Sequence, residues 1–183
     1  MKSTKKLVLS ALFIALGIVL PFFTGQVPQI GNMLLPMHIP VLICGFVCGA
    51  PYGLTVGLIT PLLRSLLFSM PPMMPKAVGM AVELAVYGLI TGLMYAKFKH
   101  KKFGIYISLI TAMIVGRIAW GITSFILFTI LGNPFTWELF AAEAFVNAIP
   151  GIILQLILIP ALMVILHKTK LVPFKKSKKK SAH

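Results

Sequence analysis

Residues 53–70 read GLTVGLITPLLRSLLFSM, an apolar run with a single charged residue, Arg64. A helix of this composition suits the hydrocarbon core of a bilayer, which is about 30 Å thick and needs about 20 apolar residues per crossing. An isolated arginine in lipid costs several kcal/mol, so such residues face the interior of a helical bundle and pair with acids. The stretch therefore predicts a membrane-spanning helix whose arginine has a polar partner inside the bundle.

The rest of the chain also has the composition of a membrane protein. Of 183 residues, 58% are hydrophobic and only 11% are charged, whereas a soluble domain carries about 25% charged residues. The formal net charge of +14 would suggest a nucleic-acid partner in a soluble protein. Here the lysines lie at the ends of apolar runs, so we expect a lipid bilayer and no nucleic acid as the partner.

Glycine and proline residues divide the chain into six apolar segments. They predict an all-α integral membrane protein, a bundle of six transmembrane helices that forms a single domain over residues 1–183, with a basic tail from about residue 168. The second segment is short for a full crossing. The predicted spans are Leu7–Phe23, His38–Gly49, Tyr52–Phe68, Ala77–Phe98, Phe103–Leu131 and Leu139–His167.

The lysines predict the orientation of the bundle. Six spans place both termini and the loop between the fourth and fifth helices on the same side. That side carries the lysines at positions 2, 5 and 6, those between 97 and 102, and every lysine from Lys168 onward, whereas the opposite side carries only Lys76. The positive-inside rule therefore places both termini in the cytoplasm.

Polar residues converge in the outward half of the predicted bundle. At about 1.5 Å of rise per residue, five polar side chains on four helices fall into one layer: Arg64, Glu83, Arg117, Glu143 and Asn147. This convergence predicts a ligand pocket that opens to the outside. The alternative is a structural ion pair of Glu83 with Arg64 or Arg117, which would contribute little to stability because desolvation offsets the attraction.

Neighbouring positions on the same helix faces extend the predicted pocket. Trp120 follows Arg117 by three residues and could stack on a ligand ring, and Tyr87 follows Glu83 by four residues. His38, at the start of the second helix, could cap that helix or point into the pocket. The predicted substrate-binding residues are Arg64, Glu83, Tyr87, Arg117, Trp120, Glu143, Asn147 and His38.

Motifs of enzymes and metal proteins are missing from the sequence. It contains no GxxxxGK[ST] loop, no HExxH, no GxSxG and no aspartate, so we predict neither an enzyme nor a bound cofactor, and no nucleotide hydrolysis by this chain itself. Cys44 and Cys48 lack further ligands at the spacing of a zinc site. We interpret them as helix-packing residues and predict no metal site.

Small residues form a stripe along the first helix. Ala11 and Ala15 are four positions apart, a spacing that lets a second helix approach closely. From composition alone, packing within the bundle is the expected use of this stripe.

Together these features resemble the substrate-binding S component of an energy-coupling factor (ECF) vitamin transporter. The stretch IGNMLLPMHIPVLICGFVCGAPYGLTVGLITPLLRSLLFSMPP, residues 30–72, is similar to the loop, second helix and third helix of bacterial members. The resemblance implies a protein of the bacterial cell membrane that captures a vitamin or its precursor from outside. It also implies association with a transmembrane coupling protein and two cytoplasmic ATPases, with Ala11 and Ala15 against the coupling protein.

The charges of the predicted pocket bear on which vitamin is bound. Arg64 and Arg117 against Glu83 leave one surplus positive charge, which favours an anion and ranks pantothenate first. An ionised Glu143 facing inward would make the pocket neutral, and pyridoxine or hydroxymethylpyrimidine would then fit as well. The alternative function is a small proton-coupled secondary transporter in which Glu83 carries the proton.

Overall fold

Six α-helices account for most of the chain in the computed structural model, which describes residues 3–24, 34–101, 103–132, 136, 138, 141–142 and 147–168. A 3₁₀ turn at Leu20–Thr24 extends the first helix, and a π-helical turn at Met73–Ala77 precedes the fourth. The helices are α1 Ser3–Val19, α2 His38–Cys48, α3 Ala50–Phe68, α4 Val78–Phe98, α5 Gly104–Ile130 and α6 Ile149–Lys168. The prediction of an all-α membrane protein is confirmed.

Five of these helical segments are long and apolar enough to cross a membrane. They are Ser3–Phe23, Ala50–Phe68, Met73–Phe98, Gly104–Ile130 and Ile149–His167. The exception is α2, whose 11 residues extend for only about 16 Å. The described part of the sixth segment begins at Ile149, ten positions after the predicted start at Leu139, which lies outside the described residues.

The polarity of the bundle is the reverse of that of a soluble protein. Large apolar side chains are exposed on the outer faces of the helices, for example Leu7 at 64%, Ile122 at 58% and Ile157 at 67%. Polar side chains such as Ser108, Glu83 and Gln155 are buried. Lipid is the solvent that tolerates this arrangement, because it solvates apolar side chains and leaves polar groups to find partners inside the protein. The chain is therefore a multi-pass membrane protein.

Helix α2 lies in the centre of the bundle. Every one of its residues except Val47 is buried, and it packs against α1, α3, α4 and α6. A helix that is apolar on all sides tolerates such surroundings, because it brings few polar groups into the interior. Because α2 is central, its first residue, His38, is carried into the interior.

Glycines fix the register between α3 and α4, because they let the two backbones touch. A Cβ atom added to Gly53 would lie 2.5 Å from the Gly88 carbonyl oxygen, and one added to Gly57 would lie 2.2 Å from the Leu84 carbonyl oxygen. Gly57, four residues after Gly53 on α3, therefore meets Leu84, four residues before Gly88 on α4. The two helices are antiparallel, and neither can slide without a clash.

This register makes a prediction about stability. At Gly88 an added Cβ would lie 2.1 Å from the Gly53 carbonyl oxygen, whereas at Gly79, on the same helix, its nearest neighbour is the Ser124 hydroxyl oxygen at 3.4 Å. We expect Gly88→Ala to lower the melting temperature by several degrees, since overpacking costs about 1–3 kcal/mol. Gly79→Ala is the matched control and should melt like the parent protein. Equal melting temperatures for the two variants would contradict the backbone contact.

Candidate functional site

An ion pair between α4 and α5 forms the centre of the candidate site. Oε1 of Glu83 is 3.1 Å from Nη1 of Arg117, and the two side chains are only 2% and 9% exposed. Gly116 makes the approach possible, because a Cβ atom there would lie 2.0 Å from Cε1 of Tyr87. Tyr87 fills that space and itself interacts with Glu83 and Arg117. Arg117 is therefore the arginine that pairs with Glu83.

A third helix contributes His38 to the same place. Gly45 of α2 packs against Gly88 and Thr91 of α4, and these two helices run in the same direction, so His38 lies level with Glu83. The His38 Nε2 atom is 3.7 Å from Oε1 of Glu83. The His38 and Tyr87 rings meet edge-on with centroids 5.3 Å apart. His38, Glu83, Tyr87 and Arg117 are referred to below as the Glu83 cluster.

The Glu83 cluster contains buried polar atoms without aligned hydrogen-bond partners. Among the described residues, neither ring nitrogen of His38 has such a partner, nor does Oε1 of Glu83, although His38 is only 1% exposed. A buried polar group left in this state costs about 1–3 kcal/mol. Such groups are rare in native proteins and call for an explanation. A ligand that hydrogen-bonds to them would provide one.

Trp120 lies on the side of the cluster nearer the N-terminal end of α4. Its half-buried indole is beside Gly79, where an added Cβ atom would lie 3.6 Å from Nε1. Gly79 precedes Glu83 by about one helical turn, toward the N-terminal end of α4. Ser124, buried on the same face of α5, lies beside Gly79 as well. Ser124 is not among the predicted binding residues, although its spacing of seven residues from Arg117 was the available signal.

Arg64 lies apart from the Glu83 cluster. The register places it level with about position 77, about 9 Å nearer the N-terminal end of α4 than Glu83. Its Nη1 atom donates a hydrogen bond to the carbonyl oxygen of Ile18, in the last turn of α1. The guanidinium carbon is 5.0 Å from the centroid of the Phe22 ring and 5.8 Å from that of Phe68. The partner of this buried arginine is thus the end of a helix and two aromatic rings.

The remaining predicted residues lie outside the cluster or outside the described part of the chain. Asn147 is exposed on the segment that precedes α6, where its backbone N–H donates to the Ala142 carbonyl oxygen at 2.9 Å. Glu143 is not among the described residues. The structure thus brings together four of the eight predicted binding residues, with Trp120 about one helical turn away from Glu83, beside Gly79.

The stripe of small residues on α1 faces away from the bundle. Ser10, Phe13 and Gly17 form the buried side of this helix, whereas Ala11 and Ala15 are exposed. The expectation that the stripe packs within the bundle is therefore wrong. In the membrane, Ala11 and Ala15 would contact lipid or another protein.

Metal binding finds no support in the part of the chain that the structure describes, since no group of three His, Cys, Asp or Glu side chains there could hold an ion. Cys44 and Cys48 are buried, free thiols. The Cys44 sulfur lies 3.8 Å from the Ser10 hydroxyl oxygen, in keeping with a packing role between α1 and α2.

Comparison with known proteins gives one match. Residues 5–163 match the family model described as ECF transporter, substrate-specific component. No curated protein and no solved structure matches the chain. The matched range contains most of α1 and of α6, the whole of α2 to α5, and every candidate site residue named above.

Proposed function

The chain belongs to the family of ECF transporter substrate-specific components, and we propose that it captures a water-soluble vitamin or vitamin precursor from outside the cell for ATP-driven import. The Glu83 cluster is the observation that carries this proposal. It combines charged, polar and aromatic groups from three helices in the interior of a membrane protein, and several of its polar atoms have no aligned partner. Polar residues of this kind inside a membrane are costly and mark substrate sites.

The depth of the cluster supports capture from outside. Glu83 lies five residues after the start of α4 at Val78, about 8 Å from that end of the helix. The exposed Lys76 lies beyond the same end, whereas Lys97 lies in the last turn of α4 and Lys99 and Lys101 lie beyond it. With the lysine-rich end in the cytoplasm, the cluster is close to the outer surface. Both termini are then cytoplasmic, and the membrane is the bacterial cell membrane.

The energy for import comes from other subunits in this proposal. The family associates with an energy-coupling module, here a transmembrane coupling protein and two cytoplasmic ATPases. The exposed stripe of Ala11 and Ala15 on α1 is a surface that a helix of the coupling protein could approach closely. Arg117 and Glu83 hold the substrate, and α1 meets the coupling protein.

Binding and uptake measurements test the proposal. Calorimetry on the purified chain should detect a water-soluble vitamin or precursor bound below micromolar concentration, with pantothenate, pyridoxine and hydroxymethylpyrimidine tested first. Proteoliposomes should accumulate that compound only when the coupling protein, the ATPases and ATP are present, and ATPases without their P-loop lysine are the control. Binding of no vitamin would contradict the proposal. Uptake by the chain alone under a proton gradient would instead support the secondary transporter that uses Glu83.

A further inference from the structure

The charges within the Glu83 cluster balance. Glu83 and Arg117 form one ion pair, and the groups that act on Glu83 are Arg117 from α5, His38 from α2 and Tyr87 on α4 itself. Arg64, the single charged residue of α3, is bound to α1 instead. The charges of Glu83 and Arg117 cancel, so this pair leaves no net charge. A ligand carboxylate would therefore add an unbalanced negative charge in a region shielded from water, which is strongly unfavourable.

The unpartnered atoms of the cluster call for a ligand that donates hydrogen bonds. A neutral imidazole offers one donor and one acceptor, whereas an ionised carboxylate can only accept. Oε1 of Glu83, ion-paired with Arg117, can accept a further hydrogen bond, and both nitrogens of His38, the nearer one 3.7 Å from Oε1, lack aligned partners. Hydroxyl or amino groups on a ligand can serve all three atoms. A ligand carboxylate can serve only a donor nitrogen and would repel Glu83.

Aromatic rings flank these polar atoms. His38 and Tyr87 meet edge-on, and the Trp120 indole lies one turn outward beside the bare backbone of Gly79. Aromatic side chains pair well with the faces and edges of other rings. The surroundings therefore suit a planar ring better than a flexible chain.

From these three observations we propose that the Glu83 cluster binds an uncharged ring that carries hydroxyl or amino substituents, and that it rejects free carboxylates. This inference rests on the proposed capture function and adds the chemical class of the substrate. It also reverses the ranking that the sequence suggested, because the surplus charge that favoured pantothenate came from Arg64.

Calorimetry with matched probes tests the substrate class on the full chain. Pyridoxine and hydroxymethylpyrimidine are uncharged rings, 4-pyridoxic acid has the ring of pyridoxine with a carboxylate in place of a hydroxymethyl group, and pantothenate is a flexible carboxylate. We expect at least one uncharged ring to bind about 100-fold more tightly than either carboxylate, as in sites built around donor groups. A carboxylate that binds as tightly as the uncharged rings would overturn the inference.

The outcomes separate this inference from the capture function. If the chain binds only vitamins that carry a carboxylate, capture stands and the substrate class is wrong. If it binds a vitamin without a carboxylate and none with one, both stand. If it binds no vitamin at all, both fall.

Variants of His38 provide a second test, with a readout that a structural role would not produce. His38→Phe keeps a ring and removes both nitrogens, so we expect about a 30-fold loss of affinity, in line with a lost buried hydrogen bond. Without ligand, the same variant should melt at the parent temperature or above it, because unsatisfied atoms have been removed from the interior. A histidine that only supports the fold would give the opposite result, with a lower melting temperature.

Two further variants complete the design. His38→Gln retains one donor and one acceptor and should keep most of the affinity, even if the phenylalanine variant fails to fold. Arg64→Gln should keep the preference for the uncharged ring. Unchanged affinity in His38→Phe, or a changed preference in Arg64→Gln, would overturn the assignment of the substrate to the Glu83 cluster.

Discussion

Replacement of Arg117 by glutamine is expected to destabilise the protein by about 3–5 kcal/mol, because it leaves the buried carboxylate of Glu83 without its counter-charge. The pair is 3.1 Å apart and nearly inaccessible to water, so solvent cannot compensate for the loss. Ligand binding should be abolished as well. Thermal melting and calorimetry on the same preparation measure the two effects.

The double variant Glu83→Gln with Arg117→Gln separates stability from binding. Removing both charges should recover most of the stability, because a buried ion pair is itself a weak source of it. Binding should stay lost. If the double variant binds ligand like the parent protein, the ion pair has only a structural role and the site lies elsewhere.

Arg64→Gln is the matched control for these variants. Arg64 is also buried, but it bonds to a backbone carbonyl and contacts aromatic rings. This variant should therefore melt at a lower temperature and still bind the ligand.

The second large effect is expected at the surface of α1. Ala15→Leu should lower ATP-driven uptake in proteoliposomes by about tenfold or more, because close helix approach depends on small residues at the contact. Ligand affinity and melting temperature should not change, since Ala15 is exposed. Ala161→Leu makes the same change at an exposed position of α6 and should leave uptake intact. Equal uptake by the two variants would contradict the assignment of the coupling surface to α1.

Much of the fold follows from the sequence because bilayer thickness and helix rise fix the length of each span. The predicted second segment, His38–Gly49, agrees with α2 to within one residue. The sequence already showed that this segment is short. Because α2 is surrounded by other helices, it need not span the hydrocarbon core by itself. The pairs Glu83 with Tyr87 and Arg117 with Trp120 were also predictable, since residues three or four positions apart share one helix face.

The position of Arg64 was beyond what residue counting can give. Counting residues estimates depth but does not say which neighbour a helix face meets. Arg64 turns toward the end of α1, and no pattern within residues 53–70 signals that choice. The register that separates Arg64 from the level of Glu83 comes from backbone contacts at Gly53 and Gly57, which depend on the partner helix as much as on the glycines.

The orientation of α1 escaped prediction for a related reason. In water, the buried face of a helix is its apolar face, whereas in lipid both the outer and inner faces are apolar. Hydropathy therefore could not tell the side of Ala11 and Ala15 from the side of Phe13 and Gly17. What separates them in the structure is shape, since Gly17 lies so close to Thr60 that an added Cβ would be 2.6 Å from its methyl group.

The glycine contacts between α3 and α4 also restrict how the protein can move. Two backbones in direct contact have no side-chain rotamers to rearrange, and densely packed interfaces transmit displacement without absorbing it. Helices α3 and α4 should therefore shift together as one rigid body, and the motion that admits or releases a substrate falls to other segments. Glu83 and Tyr87 belong to this rigid body, so their part of the site keeps its shape in the empty protein. The affinity for the substrate is then not reduced by the entropic cost of ordering that half of the site.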